Sequence, residues 1–408
     1  MKKQFKFKSL LLAVIASMLM GVTSCKKDED PKPEPPVVVS ELKGDITSDL
    51  SISGNIKLIG KVHVKPGVTL NIAAGTKITA NADELSYLLI EQGAKIMAEG
   101  TASKPIIMTS TLEESGAWGG VHICGKAPIN SGATGLSEIG NALYGGNDKT
   151  DNSGLMKYVR IEYSGTALDD EHEANGISFY GVGNGTTIDY IEVYIGSDDG
   201  IEFFGGTVNI KHVKVESCKD DSFDWVEGWQ GKGQFLIAVQ GEVGDRGFEG
   251  DNLKADNTAT PKSSPTFSNV TLIGAGDAEN YGMKLRRGTA GIFKNIILAG
   301  GFDKRSIHIE NSETLRNLVD GSLLIDYAYI NNQVSDVAIK YSEDDGDAVN
   351  IEGHKVEDSE NVFLQDLTTA VSESTTYTGG FDMSTDDSFF ESTNYIGAGS
   401  EWLSGWTR

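Results

Sequence analysis

The chain has 408 residues, including 49 glycines and 9 prolines, and its 59 acidic and 35 basic residues give a formal net charge of −24. This charge excludes nucleic acids and anionic lipid surfaces as partners, and it disfavours acidic sugars unless a cation or a local basic patch intervenes. With 39% hydrophobic and 8% aromatic residues, the chain can fill a long, narrow core.

The first 24 residues have the pattern of a signal peptide. Lysines precede an apolar segment, Leu10–Met20, that is too short to span a membrane. The small residues before Cys25 resemble a bacterial lipobox, so we predict that Cys25 is lipidated. Residues 25–40 are charged and rich in proline, which predicts a flexible tether.

The residues after Cys25 also bear on localisation. A lysine followed by acidic residues resembles the export signal that sends lipoproteins of the Bacteroidota to the outer face of the outer membrane. We therefore expect a surface-exposed outer-membrane lipoprotein that contacts the membrane through its lipid alone. We also expect a monomer.

Residues 41–340 contain many short runs that alternate apolar and polar side chains. Early examples are Ile56–Ile78 and Leu88–Gly100, and later periods carry two such runs each, separated by Gly, Asn and Asp. No period has the pattern of an amphipathic helix. These features predict an all-β fold, a right-handed parallel β-helix of roughly a dozen coils stacked ~4.8 Å apart.

One phrase recurs five times between residues 200 and 311, with a fainter copy before it. Each copy places an apolar residue, then a polar or charged one, and follows the previous copy by one supersecondary unit. A period of this size indicates a solenoid. The copies are Gly176–Gly181 (the faint one), Gly200–Gly206, Ser222–Gly228, Gly247–Asn252, Gly282–Gly288 and Ser306–Asn311.

The register of the repeats is lost after residue 340. Residues 341–408 are acidic and rich in Ser, Thr and Asp, and we predict an irregular segment that caps or packs along the last coils. Cys124 and Cys218 both lie next to β-type runs. Their spacing does not require a disulfide, and we predict two separate buried thiols.

Alternation along each strand predicts which side chains share a face. We predict an inward set of side chains that point into the core: Ile177, Ile201, Phe223, Phe248, Met283 and Ile307. The next residue in each copy then belongs to an outward set: Ser178, Glu202, Asp224, Glu249, Lys284 and His308. Parallel coils would stack the outward set in one column. The adjoining turns and strand ends contribute Asp198, Asp199, Asp220, Asp221, Asp251, Arg286 and Arg287 as candidate ligand-binding or metal-binding residues.

Stacked carboxylates raise one another's pKa, bind a cation or splay into water. A Ca²⁺ ion held by Glu202, Asp224, Glu249 and Asp251 is one prediction, although no cofactor is required by the sequence. Trp229 and Tyr180 are candidate platforms for a sugar ring. A solvated acidic face, whose turns use Asp for local hydrogen bonding, is the alternative.

Two functions follow from the column. The first is a non-catalytic surface protein that binds a glycan or another extracellular ligand along one flank, with or without Ca²⁺. The second is a polysaccharide lyase or glycoside hydrolase that uses Glu202, Asp224, Glu249, Lys284 and His308 as catalytic residues. Paired carboxylates suit hydrolysis, whereas a Ca²⁺-bound uronate with a basic residue suits β-elimination.

Four phrases give the chain a resemblance to a largely uncharacterised family of secreted and lipid-anchored β-helix proteins of the Bacteroidota. The phrases are Gly116–Asn130, Tyr158–Tyr163, Ser197–Thr207 and Ser264–Val270. The fold that this implies is similar to that of pectate lyases and polygalacturonases. The Asp198-Asp199 pair resembles the paired aspartates of polygalacturonases, and Lys284 with Arg286 resembles their basic subsite, but their Gly-His-Gly element is absent, and fold similarity does not confer activity.

Overall fold

The computed structural model describes residues 39–166, 173–275, 280–331, 338–364 and 371–408. Twenty-four strands of these segments form one parallel arrangement, a right-handed parallel β-helix. The predicted fold class is therefore confirmed. Cys25 and the rest of the predicted signal peptide and tether up to residue 38 lie outside the described residues.

Each coil has three faces, and one of them carries the repeated phrase. We call this face the column sheet. Its strands pair in parallel from one coil to the next. They are the second half of Asn55–Val64, then Tyr87–Ile90, Val121–Cys124, Ile177–Tyr180, Ile201–Phe204, Phe223–Val226, Arg246–Gly250, Tyr281–Leu285, Arg305–Glu310 and Ile339–Ser342.

The other two faces are made by long strands that bend from one face to the next. These strands are Gly154–Glu162, Thr187–Tyr194, Asn209–Glu216, Lys232–Val239, Thr266–Ala275, Gly291–Gly301 and Leu323–Ile330. In the first coils, shorter strands take the same places. They are Glu41–Ile46, Leu50–Ile52, the first half of Asn55–Val64, Thr69–Ile72, Lys77–Ala80, Lys95–Glu99 and Ile106–Ser110, and Val362–Leu364 adds a late rung.

The bend in each long strand is made by a single residue with a left-handed backbone. Tyr158, Tyr190, His212 and Phe235 have φ values of 51°, 55°, 51° and 60°. Their rings stack along the corner, with centroids 4.3 Å, 4.3 Å and 4.8 Å apart in succession. We call these four residues the corner stack. Contact between the rings offsets the cost of a backbone conformation that non-glycine residues rarely adopt.

The core runs the length of the coils. All six side chains of the predicted inward set are completely buried, which confirms the phase assigned to the repeats. Each such burial stabilises the fold by roughly 1.5–3 kcal/mol relative to exposure. Because alternation is strict within a strand, burying this set fixes its polar neighbours on the opposite face.

Residues 371–408 pack along the outside of the helix. Ala398 and Leu403 contact Ile237, and Ile396 contacts Ile297. This part of the chain contains a short antiparallel pair, Tyr377–Thr378 with Tyr395–Ile396, and the 3₁₀ turns Met383–Thr385 and Glu401–Leu403. Other additions to the coils are the helix Ser312–Asp320, the 3₁₀ turn Val356–Asp358 and the pair Gly135–Leu136 with Leu143–Tyr144.

Cys124 and Cys218 are both buried and unpaired, as predicted. Among the described residues, no helix has the length and apolar character needed to cross a membrane.

Candidate functional site

The parallel register aligns the outward side chains of the repeats directly. Ser178 is opposite Glu202, Glu202 is opposite Asp224, and Asp224 is opposite Glu249. Lys284 and His308 follow on the next two rungs. The predicted stack is confirmed, and we call Glu202, Asp224 and Glu249 the acidic column.

A second column runs beside it in the turns. The residues three positions before each column residue are Asn175, Asp199, Asp221 and Arg246, which we call the turn column. Hydrogen bonds between successive turns hold it in register, since the amides of Gly176, Gly200 and Ser222 each donate to the next turn residue along the column. The amide of Asp221 also donates to Asp199 Oδ1 at 2.9 Å. Farther out, the amide of Asp245 donates to the carbonyl of Asp220.

The two columns are less exposed than a solvated acidic face would be. Asp224 and Glu249 are only 8% and 6% exposed, and Asp199 and Asp221 are 6% and 1% exposed. Each of these carboxylates has other carboxylates as neighbours. Some belong to the adjacent column on the same rung, and others belong to the rungs above and below. The low exposure of these carboxylates disfavours the alternative of a solvated acidic face.

Burial and mutual repulsion both favour protonation of these carboxylates. Burial, followed by the charges of neighbouring carboxylates, raises the pKa values of Asp199, Glu202 and Asp224 well above the usual range. The pKa of Asp198 is raised to about 8 for the same reasons. Burial raises the pKa of Glu249 to about 7, although nearby arginines oppose the shift.

The lower end of the site is neutralised by Arg246. Its guanidinium lies 3.2 Å from Asp221 Oδ2, 2.8 Å from Asp245 Oδ2 and 2.8 Å from Glu249 Oε1. It thus takes the place of a cation among three carboxylates.

Arg286 and Arg287 neutralise the remaining acids at this end. Arg286 pairs with Glu249 and donates from Nε to Asp251 Oδ1 at 2.8 Å, while Arg287 pairs with the other oxygen of Asp251. Glu249 and Asp251 are thus bound by guanidinium groups. Glu249 also places an oxygen within 4.8 Å of oxygens of Asp221 and Asp224, so its role as a metal ligand stays a prediction. Arg286 and Arg287 are likewise held by ion pairs, which limits them as ligand-binding residues.

Among the described residues, no basic side chain forms an ion pair with the upper end, although the charge of Arg286 acts to lower the pKa of Asp224. Asp199, Glu202 and Asp224 each place a carboxylate oxygen within 4.8 Å of those of the other two. Asn175 donates from Nδ2 to Glu202 Oε2 at 2.7 Å. We call these four residues the upper cluster.

Two oxygens of the upper cluster lack a hydrogen-bond donor among the described residues. They are Asp224 Oδ1 and Asn175 Oδ1, and both residues are more than nine-tenths buried. An unmatched buried acceptor costs about 1–3 kcal/mol, and more when it is charged. A cation bound by the carboxylates would satisfy the Asp224 oxygen.

The donor set of the upper cluster suits a hard cation. Carboxylate oxygens are the ligands that Ca²⁺ prefers in proteins, and no sulfur or imidazole belongs to the set. Of the predicted metal ligands, Glu202 and Asp224 belong to this set together with Asp199, and Glu249 belongs to an adjoining grouping with Asp221 and Asp224.

Further acidic groupings lie in the turns. Asp198, Asp199 and Asp220 place oxygens within 4.8 Å of one another, as do Asp220, Asp221 and Asp245. The second grouping already contacts Arg246, which lies 3.7 Å from Asp220 Oδ1. On the column itself, Asp221, Asp224 and Glu249 also place oxygens within 4.8 Å of one another, and Arg246 contacts two of these three residues. The upper cluster is therefore the grouping with the greater need for a cation.

The basic end of the column is engaged in pairs of its own. Lys284 Nζ lies 3.3 Å from Glu310 Oε2. His308 Nε2 is 2.8 Å from Ser342 Oγ, and burial lowers its pKa to about 4 although Glu310 opposes the shift. His308 is consequently neutral at neutral pH.

The prediction that Trp229 is a sugar platform is wrong. Its side chain is fully buried, stacks on Phe203 with ring centroids 3.9 Å apart, and donates from Nε1 to the carbonyl of Val208 at 3.2 Å. Glu227 and Gly228, with φ of 55° and 83°, turn the chain before Trp229, so strand alternation no longer indicates the direction of its side chain. Tyr180 and Trp225 are also buried.

Sequence reasoning missed Asn175 and Arg246. Both could have been found by counting two residues back from the apolar anchors Ile177 and Phe248, because Asp199 and Asp221 occupy that position in the intervening repeats. The charge change at Arg246 hid the periodicity.

The comparison with protein families agrees with this architecture. The family model of the pectate-lyase-like β-helix domain matches residues 44–407. The chain belongs to this family. No curated protein and no solved structure matches the chain. Membership of the pectate-lyase-like family establishes the fold of this chain, whereas its taxonomic origin and its lipid anchor stay predictions.

Proposed function

We propose that this β-helix protein holds a divalent cation, Ca²⁺ by its chemistry, at the upper cluster and uses the column sheet to bind an extracellular glycan. The observation that carries the proposal is the buried Asp224, whose Oδ1 has no donor among the described residues and which places a carboxylate oxygen within 4.8 Å of those of Asp199 and Glu202. A cation bound there would offset the repulsion between the carboxylates and would be coordinated by the oxygen that lacks a donor.

Family membership supports a carbohydrate-related role in general terms. A divalent cation at the upper cluster would also reduce the negative charge of this flank. Acidic glycans, which the net charge of −24 repels, could then approach the column sheet. In the setting we propose, a lipid at Cys25 holds the β-helix on the outer surface of the cell, where such ligands occur.

Hydrolysis is the second candidate, and the raised pKa values favour it. A carboxyl group that keeps its proton near neutral pH can act as the general acid of a glycosidase. The carboxylate oxygens of the upper cluster lie within 4.8 Å of one another, which is nearer to the ~5–5.5 Å of retaining enzymes than to the wider spacing of inverting ones. A lyase would require Lys284 to leave Glu310.

A polysaccharide panel separates these functions. The mature protein is incubated with plant, algal and host polysaccharides, with Ca²⁺ or with a chelator, and new reducing ends and the absorbance of unsaturated uronates are recorded. Binding to an acidic glycan that requires Ca²⁺, without turnover, is the expected result. Turnover that disappears in Asp224→Asn but persists in the exposed control Glu99→Gln would establish the enzyme instead.

A further inference from the structure

A groove lies between the corner stack and residues 371–408, across the β-helix from the acidic column. Its larger part is a cavity of about 520 Å³. A second cavity of about 340 Å³ shares Ser374 and Ser400 with it, so the two adjoin. Volumes of this size are typical of small-ligand sites.

Rings line the larger cavity. His212 and Phe235 belong to the corner stack, while Tyr395 and Trp402 come from the C-terminal segment and are half-buried. Trp402 meets His212 edge-on, with ring centroids 5.5 Å apart. Trp402 differs from the other tryptophans of the chain, because Trp118, Trp225, Trp229 and Trp406 are each at most 1% exposed. An aromatic surface that is kept partly open is a platform for a flat, partly apolar ligand.

The polar groups of the groove are hydroxyls and carboxylates. Ser374, Thr376 and Ser400 supply hydroxyls, and Glu391 and Glu401 supply acceptors at the rim. None of the described residues that line either cavity is a lysine or an arginine, and Nδ1 of His212 lies 2.8 Å from Asp189 Oδ1. The nearest cations are already paired, since Lys211 lies 3.2 Å from Glu391 and Lys214 lies 3.0 Å from Glu373. The groove therefore disfavours acidic ligands.

We infer that this groove binds a neutral saccharide chain, with a sugar ring on Trp402 and its hydroxyls directed to Ser374, Ser400 and Glu401. A sugar ring combines an apolar face with a rim of hydroxyls, which matches a half-open indole surrounded by hydroxyl and carboxylate groups. The two adjoining cavities suit an extended ligand. This site needs no cation and is independent of the proposed function of the acidic column.

The single half-buried tryptophan provides a direct readout. Quenching of tryptophan fluorescence by acrylamide is measured on the intact mature protein. The measurement is made in the presence of cello-, xylo-, manno- or maltohexaose, with an oligogalacturonate as the acidic counterpart. At least one neutral hexasaccharide is expected to reduce quenching, and the oligogalacturonate is expected to have no effect. Protection by none of the neutral sugars, or equal protection by the oligogalacturonate, would overturn the inference.

Variants assign the effect to the groove. By calorimetry with the protecting sugar, Trp402→Ala should weaken binding about tenfold. Ser400→Trp, which fills the junction of the two cavities without removing a core contact, should also abolish binding. Asp224→Asn and the exposed Leu324→Ala should bind like the wild type. Unchanged binding in correctly folded Trp402→Ala and Ser400→Trp would refute the site, and loss in Asp224→Asn would place the ligand on the acidic column.

Discussion

Arg246 and Asp221 occupy the same position on successive rungs, and the guanidinium of one lies 3.2 Å from the carboxylate of the other. Replacing Arg246 with methionine leaves Asp221, Asp245 and Glu249 without their shared counter-charge. We expect Arg246→Met to lower the free energy of unfolding by roughly 3–5 kcal/mol in chelator, as for other broken buried pairs, measured by urea denaturation. Millimolar Ca²⁺ should restore part of this loss.

The matched control for that variant is Arg316→Met. Arg316 also pairs with a carboxylate, that of Asp347 at 2.6 Å, but both side chains are about half exposed. Its loss should change stability little. An equal effect of the two variants would contradict the assignment of Arg246 as the built-in cation of the site.

Asp224→Asn tests the electrostatic strain in the upper cluster. The amide removes one charge from a buried group of carboxylates, so in chelator at pH 8 we expect the variant to be more stable than the wild type by at least about 1 kcal/mol. Differential scanning calorimetry measures the change. A variant that is less stable in chelator would show that Asp224 already has a favourable partner in the metal-free protein.

The stability of the metal-free protein should fall as pH rises. Asp198 and Glu249 have pKa values of about 8 and about 7 when folded, against ordinary values near 4, so the folded state binds more protons through this interval. Their stabilising protons are fully present below about pH 4 and are lost as pH rises through 7 and 8. Ca²⁺ binds ionised carboxylates, and the pKa values of Asp199, Glu202 and Asp224 are raised as well, so added Ca²⁺ should raise the Tm more at pH 8 than at pH 5. A shift that is larger at pH 5 would contradict this linkage.

The lipid anchor can be tested without reference to the site. If Cys25 is the lipidated residue, Cys25→Ala should move the full-length protein from the membrane fraction to the soluble fraction of cells, as followed by immunoblot. Cys218→Ala, which alters a buried thiol of the β-helix, is the control. An unchanged distribution of Cys25→Ala would refute the anchor.

The fold and the acidic column could be predicted from sequence because both depend on alternation. A buried Ile201 or Phe223 commits the next residue to the opposite face, and the parallel register then stacks Glu202 on Asp224. The same reasoning failed for Trp229, since the turn at Gly228 breaks the alternation.

Pairing and burial at the column could not be predicted in this way. The guanidinium of Arg286 reaches both Glu249 and Asp251, which are on one rung, and Arg246 reaches carboxylates from two rungs. Such reach depends on long side chains whose direction no repeat pattern encodes. The position of Trp402 against His212 also depends on how the C-terminal segment folds back, which leaves no periodic signal.

Isothermal titration calorimetry with Ca²⁺ measures directly whether the upper cluster binds this cation. The metal-free wild type, Asp224→Asn and the control Glu99→Gln are titrated at pH 8. We predict that the wild type and Glu99→Gln bind Ca²⁺ with submillimolar to millimolar affinity, which is the range of extracellular sites. Asp224→Asn should lose this binding. Equal Ca²⁺ binding by Asp224→Asn, or no binding by the wild type at millimolar Ca²⁺, would contradict it.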